Sequence, residues 1–164
     1  MPTEPLINPL TVDFSRVVAD REAIRAYNPQ RFEMEQLDAV VLLDAERKLI
    51  VGYKDVRADE FWTRGHFPGN PLLPGVLMCE AVAQLCGYYV MSQKVMPEGQ
   101  MLGFGGMDGI RFRSKVRPGE RLILVASAKK LKRVASLFDV QGFVGDTLAL
   151  EGEVIGAALS RSEQ

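Results

Sequence analysis

One stretch limits what this chain can become. Residues 75–93 read GVLMCEAVAQLCGYYVMSQ, enough for a helix of about 28 Å. Val76, Leu77, Met78, Ala81, Val82, Ala83, Leu85, Tyr88, Tyr89, Val90 and Met91 lie on every side of it. A helix apolar all round must be covered over most of its surface. The most apolar stretch, Leu72 to Met91, is interrupted by Pro74, Glu80 and Gln84. The stretch therefore reads as a buried helix and not as a membrane span.

The rest of the chain must supply the cover. Residues 1–18 form a lead-in with three prolines and no period. Asp20 caps a short helix over 21–27, which Asn28-Pro29 stops. Strands are expected over 39–43 and 49–53, joined by a turn at 44–47. After the long helix, Ile110, Phe112 and Val116 alternate with Arg111, Arg113, Lys115 and Arg117. Further strands are expected over 121–129, 134–144 and 147–159, with Gly145-Asp146 as a hairpin loop. The expected class is α+β. Short turns imply antiparallel neighbours, and one sheet curled around one central helix is the economical arrangement.

With 164 residues, a lead-in over 1–18 and a single domain over 19–164 account for the whole chain. The N-terminus lacks the basic and apolar regions of a secretory signal. Lys plus Arg is 20 and Asp plus Glu is 21, a net charge of -1, so no global footprint for nucleic acid exists. The two cysteines, Cys79 and Cys86, fall on the long helix about 10 Å apart, too far for a bridge. They read as reduced thiols, which suits a cytoplasmic protein. One histidine and two separated cysteines make no metal-ligand cluster, so no metal is expected. Glycines 103, 105, 106 and 109 do not have the spacing of a nucleotide-binding loop.

Glu80 and Gln84 are the only strongly polar side chains of the long helix before its last turn. Four residues apart, they share a face. A carboxyl there is either a structural acid, satisfied by Gln84 or backbone, or a proton donor that Gln84 orients. Burial favours the proton-bearing form, which suits the second role. His66, the only histidine, precedes the helix in a segment, 65–75, where six of eleven residues are Gly or Pro. Three prolines fix φ there, and Phe67, Leu72 and Leu73 lead us to expect that the loop packs inward. The free N–H groups at Gly75, with the positive end of the helix dipole, suit a developing oxyanion. A base, an anion site and an acid suit proton abstraction beside a carbonyl followed by loss of a β-leaving group.

The string HFPGNPLLPGVLMCEAVAQ closely resembles the signature of the β-hydroxyacyl-(acyl carrier protein) dehydratases of fatty-acid synthesis, a hotdog-fold family. The likeness extends through Asp59-Glu60-Phe61-Trp62 and GFGGMDGIRFRSKVRPGERL, covering roughly residues 20–160. It implies an antiparallel sheet wrapped around one central helix. It implies a hydro-lyase that converts 3-hydroxyacyl thioesters to trans-2-enoyl thioesters without a cofactor. His66 would take the C2 proton, Glu80 would protonate the departing hydroxyl, the Gly75 N–H would bind the thioester oxygen, and Gln84 would orient Glu80. Glu80, where sister isomerising enzymes carry Asp, implies dehydration only. The implied partners are an acyl carrier protein bearing the substrate and a second copy of the chain. In such dimers, sometimes grouped as trimers of dimers, His and Glu of one site come from different chains.

Two positions depart from the family pattern. Pro29-Gln30-Arg31-Phe32-Glu33 stands where many members have Pro-His-Arg-Tyr-Pro, and Leu102-Gly103 where many have a tyrosine pair. The rival readings are a hotdog acyl thioesterase and a non-catalytic acyl-chain binder. The basic stripe of Arg111, Arg113, Lys115 and Arg117 reads as a solvated strand face or a carrier-protein contact. Lys129, Lys130, Lys132 and Arg133 read as a solvated turn.

Overall fold

The computed structural model describes residues 3–161. The first two residues of the expected lead-in and the last three of the expected domain lie outside the described residues. Asp20 caps helix α1 (Arg21–Arg25), its carboxylate accepting the Ala23 N–H at 2.9 Å. Strands β1 (Ala39–Asp44) and β2 (Leu49–Asp55) follow, then helix α2 (Gly75–Ser92). The last third is β3 (Gln100–Phe112), β4 (Arg121–Leu131), β5 (Ala135–Val144) and β6 (Thr147–Ser160).

All six strands form one antiparallel sheet in the order β1-β2-β4-β5-β6-β3. Helix α2 packs on β2 through β6, so the sheet wraps around it as expected. Ala81, Val82, Leu85, Cys86 and Val90 are fully buried, and they meet Ile50, Leu122, Leu124, Ala126, Phe138 and Leu150 from the sheet's inner face. Among the described residues no helix is long and apolar enough to cross a membrane.

The lead-in is more than a tether. Val12, with Leu6, Ile7 and Phe14, covers Val41, Leu49, Val51, Ile123, Val125 and Phe143 on the outer face of the sheet. Gln141 pins it there. Its side-chain carbonyl accepts the Leu6 N–H at 2.8 Å, and its amide donates to the Glu4 carbonyl at 3.1 Å. With both faces covered, β2 and β4 read as continuous apolar runs rather than alternating ones.

β3 differs most from expectation. It begins at Gln100 and runs through the glycines at 103, 105, 106 and 109, with register shifts at Phe104/Gly106 and Asp108/Arg111. It ends at Phe112, so Arg113, Lys115 and Arg117 lie in the following loop and do not continue a strand face. Cross-strand leucines explain Gly103 and, on β6, Gly156: a Cβ on Gly103 would lie 2.3 Å from Leu159 Cδ1, and one on Gly156 2.3 Å from Leu102 Cδ1. Small residues on one strand make room for large ones on the other.

Candidate active site

The acid is placed by a buried amide. Gln84, 3% exposed, is bonded through both ends. Its carbonyl oxygen accepts the Gln36 N–H at 2.9 Å. Because a backbone N–H only donates, this fixes the amide's orientation. The Gln84 NH₂ then donates to the Met34 carbonyl at 2.6 Å and to Glu80 Oε1 at 2.9 Å. With Oε1 occupied as an acceptor, Oε2 is the carboxyl oxygen that this amide leaves free. Asn28 adds a further tie, donating to the Gln84 backbone carbonyl at 2.9 Å. Sequence reasoning paired Gln84 with Glu80 but missed Asn28, Met34 and Gln36. Two of those partners act through backbone, which leaves no side-chain signal.

Glu80 is half-buried. It lines a cavity of about 40 Å³ with Gln30, Ala83, Leu102, Gly103, Phe104 and residues 154–156. The carboxyl thus opens between α2 and the paired strands β3 and β6, next to both positions where the chain departs from the family pattern.

His66 is placed by a small closed loop. The His66 N–H donates to the Trp62 carbonyl at 2.9 Å, and the Leu72 N–H donates back to the His66 carbonyl at 2.8 Å. Phe67 and Asn70 exchange backbone bonds at 3.0 and 2.8 Å. The His66–Phe67 peptide is cis, and the two rings stack with centroids 4.2 Å apart. His66 Nδ1 lies 2.7 Å from the Leu72 carbonyl. A carbonyl only accepts, so Nδ1 carries a hydrogen, and in the neutral ring the lone pair falls on Nε2. This is the tautomer a general base needs. The inward packing expected of the loop is found only at Leu73. In a single chain Phe67 is 50% exposed and His66 half-buried.

The start of α2 is placed by an aromatic ring. Pro74 precedes the helix, and its carbonyl accepts the Leu77 and Met78 N–H groups at 2.9 and 3.1 Å. The Gly75 and Val76 N–H groups stand outside that ladder. A Cβ on Gly75 would lie 2.7 Å from Phe112 Cζ, so glycine lets the ring sit directly on the helix start. The sequence did not signal Phe112 as a neighbour of this site.

Within one chain Glu80, Gln84 and the 28–36 segment are brought together. His66 does not line the Glu80 cavity. Both cysteines are free, and burial pushes each thiol above its usual range, Cys86 the more strongly. Among the expected basic groups, Arg113 is paired with Glu151, Lys129 with Glu153 and Asp139, and Arg117 donates to the Asn70 side chain in the His66 loop.

A six-stranded antiparallel sheet wound around one long helix is the hotdog class of fold. Solved structures share it. The chain superposes on the ApeI:P dehydratase heterocomplex from Xenorhabdus doucetiae with a TM-score of 0.69 at 17% identity, covering 85% of this chain and 93% of that one. It superposes on the thioesterase PA1618 from Pseudomonas aeruginosa with a TM-score of 0.62 at 15% identity, covering 89% and 98%. At such identities the likeness concerns the fold alone. Within the class, the chain belongs to the FabA-like domain family, which matches residues 28–153. It is 40% identical over 146 residues to the 3-hydroxyacyl-[acyl-carrier-protein] dehydratase FabZ of Moorella thermoacetica, covering 88% of this chain and 99% of that protein. It is 38% identical to the same enzyme of Syntrophobacter fumaroxidans over a similar span.

Proposed function

We infer that this protein is a 3-hydroxyacyl-(acyl carrier protein) dehydratase of fatty-acid synthesis, yielding trans-2-enoyl thioesters and water. The observation that carries the reading is the 40% identity spanning nearly the whole of a curated dehydratase. Residues 19–164 are read as one dehydratase domain.

His66 Nε2 takes the C2 proton, with Nδ1–H held on the Leu72 carbonyl. The C2–H electron pair becomes the C2=C3 bond as the C3–O bond breaks. Glu80 Oε2 gives its proton to the departing hydroxyl, forming water. The Gly75 N–H, at the positive end of α2, takes the charge that gathers on the thioester oxygen. The proton on His66 then returns to Glu80, closing the cycle. Gln84 keeps Glu80 Oε1 occupied throughout.

The site needs a second copy. His66 is not among the residues that line the Glu80 cavity of its own chain. β3 is an edge strand whose Phe104 and Phe112 are half exposed, and Phe61, Phe67 and Val76 are exposed beside the His66 loop and the start of α2. An uncovered edge and an apolar rim are what a partner strand would cover. In the homodimer His66 of one copy serves Glu80 of the other, and further grouping into trimers of dimers is compatible with this arrangement. The substrate arrives on an acyl carrier protein in the cytoplasm.

Hydration of a trans-2-enoyl thioester by the purified protein tests the reading. Glu80→Gln and His66→Asn should each lower kcat by about 10²- to 10⁴-fold. Release of free thiol with no hydration would select the thioesterase instead. Trans-2 to cis-3 isomerisation as fast as hydration would overturn the dehydration-only assignment.

A further inference from the structure

Lys54 is the second-to-last residue of β2 and is 1% exposed. It follows Ile50 and Gly52 on the inward face, a row that otherwise meets α2: a Cβ on Gly52 would lie 3.0 Å from Leu85 Cδ1. The ammonium donates to Glu60 Oε1 at 2.6 Å, and the Glu60 side chain is only 7% exposed. Removing two charges from water is costly, and a packed apolar pair of similar volume is often the more stable choice. A buried pair of this kind therefore calls for an account other than stability.

Its position supplies one. Glu60 stands at the head of the excursion, residues 57–72, that carries His66. The other carboxylate oxygen of Glu60 accepts the Arg57 N–H at 2.8 Å, and its backbone carbonyl accepts the Thr63 N–H and hydroxyl at 3.1 and 2.9 Å. One turn on, the carbonyl of buried Trp62 accepts the Gly65 and His66 N–H groups at 3.2 and 2.9 Å. The excursion is fixed at its ends to the 113–120 loop that joins β3 to β4, Val56 donating to Glu120 and Leu73 to Val116. Between those ends the Lys54–Glu60 pair is a charged tie to the sheet lying six residues before His66, and Trp62 is the apolar one. Ion pairs have a set length and direction, which apolar contacts lack.

We propose that Lys54 and Glu60 are positioning residues, a buried ion pair that sets where the His66 imidazole stands. This rests on the dehydratase reading and adds to it two residues that touch neither substrate nor reacting atoms.

The experiment uses the full chain with Lys54→Met/Glu60→Leu, which removes both charges and strands neither. The single histidine gives one imidazole Cε1–Hε1 NMR signal, so its environment is read directly. The double variant should melt close to the parent yet show a displaced or broadened imidazole signal. Its kcat for enoyl-thioester hydration should fall by about 10- to 100-fold with KM within twofold. An unmoved signal with kcat within twofold of the parent would overturn the proposal. If the double variant does not fold, isosteric Glu60→Gln is read by the same two criteria. A parent protein without hydration activity would count against the dehydratase reading alone. The imidazole signal would still decide the positioning role.

Discussion

The Gln84 amide donates to Glu80 Oε1 at 2.9 Å while its own oxygen is taken up by the Gln36 N–H. The acid is therefore oriented by a group that cannot flip without breaking a second bond. The same amide ties down the segment that forms one wall of the Glu80 cavity. Gln84→Ala would release Glu80 and strand the Met34 carbonyl and Gln36 N–H. A stability loss of about 1–3 kcal/mol per stranded group is expected in urea unfolding, with a fall in kcat. Gln84→Glu keeps the shape but sets an acceptor against Glu80 and the Met34 carbonyl. Its kcat should fall by about tenfold or more, and an unchanged kcat would contradict the orienting role.

Gly75 touches Phe112 so closely that one added carbon must move the ring. The atom met is the far end of a half-exposed side chain, so the ring can swing and the melting temperature of Gly75→Ala should change little. The swing crowds the helix start, and kcat/KM for enoyl-thioester hydration should drop by about tenfold or more. Adding Phe112→Ala should return part of the loss. Steady-state kinetics on the single and double variants check both statements.

Two partly buried carboxyls link stability to acid. The Arg25 guanidinium, bonded to both oxygens, holds Glu35 below the ordinary 4.5. A hydrogen bond from Thr3, then Arg113, does the same for Glu151. The folded protein thus binds fewer protons than the unfolded chain just below that value. Stability from these groups is fully present above 4.5 and is lost as the pH falls through their lower folded values. Urea midpoints measured from about pH 6 down to pH 3 should decline. Glu35→Gln and Glu151→Gln should each flatten the decline, and parallel curves would contradict the assignment.

Much of this was legible from the chain alone, for reasons that differ by element. α2 was legible because apolar residues on every side leave few alternatives to a buried helix. The Asp20 cap and the Gly145-Asp146 loop were legible because local chemistry fixes them. The start of β3 was not: glycines carry no period, and the leucines that fill the space beside Gly103 and Gly156 lie on the opposite strand. The lead-in was illegible because its anchor, Gln141, is 135 residues away from Leu6. Within the site, the types and spacing of His66, Glu80 and Gln84 stood out. Lys54 did not, although its parity with Ile50 and Gly52 marks it as pointing inward.

The lead-in's outer layer bears on how much of the chain is needed. A fragment trimmed to the family span, starting at Asn28, would leave Val41, Val51, Ile123, Val125 and Phe143 bare on the back of the sheet. Such a plane of oily side chains invites clumping. The opening residues therefore serve as the molecule's raincoat, keeping it dispersed in water whatever its catalytic slot is doing.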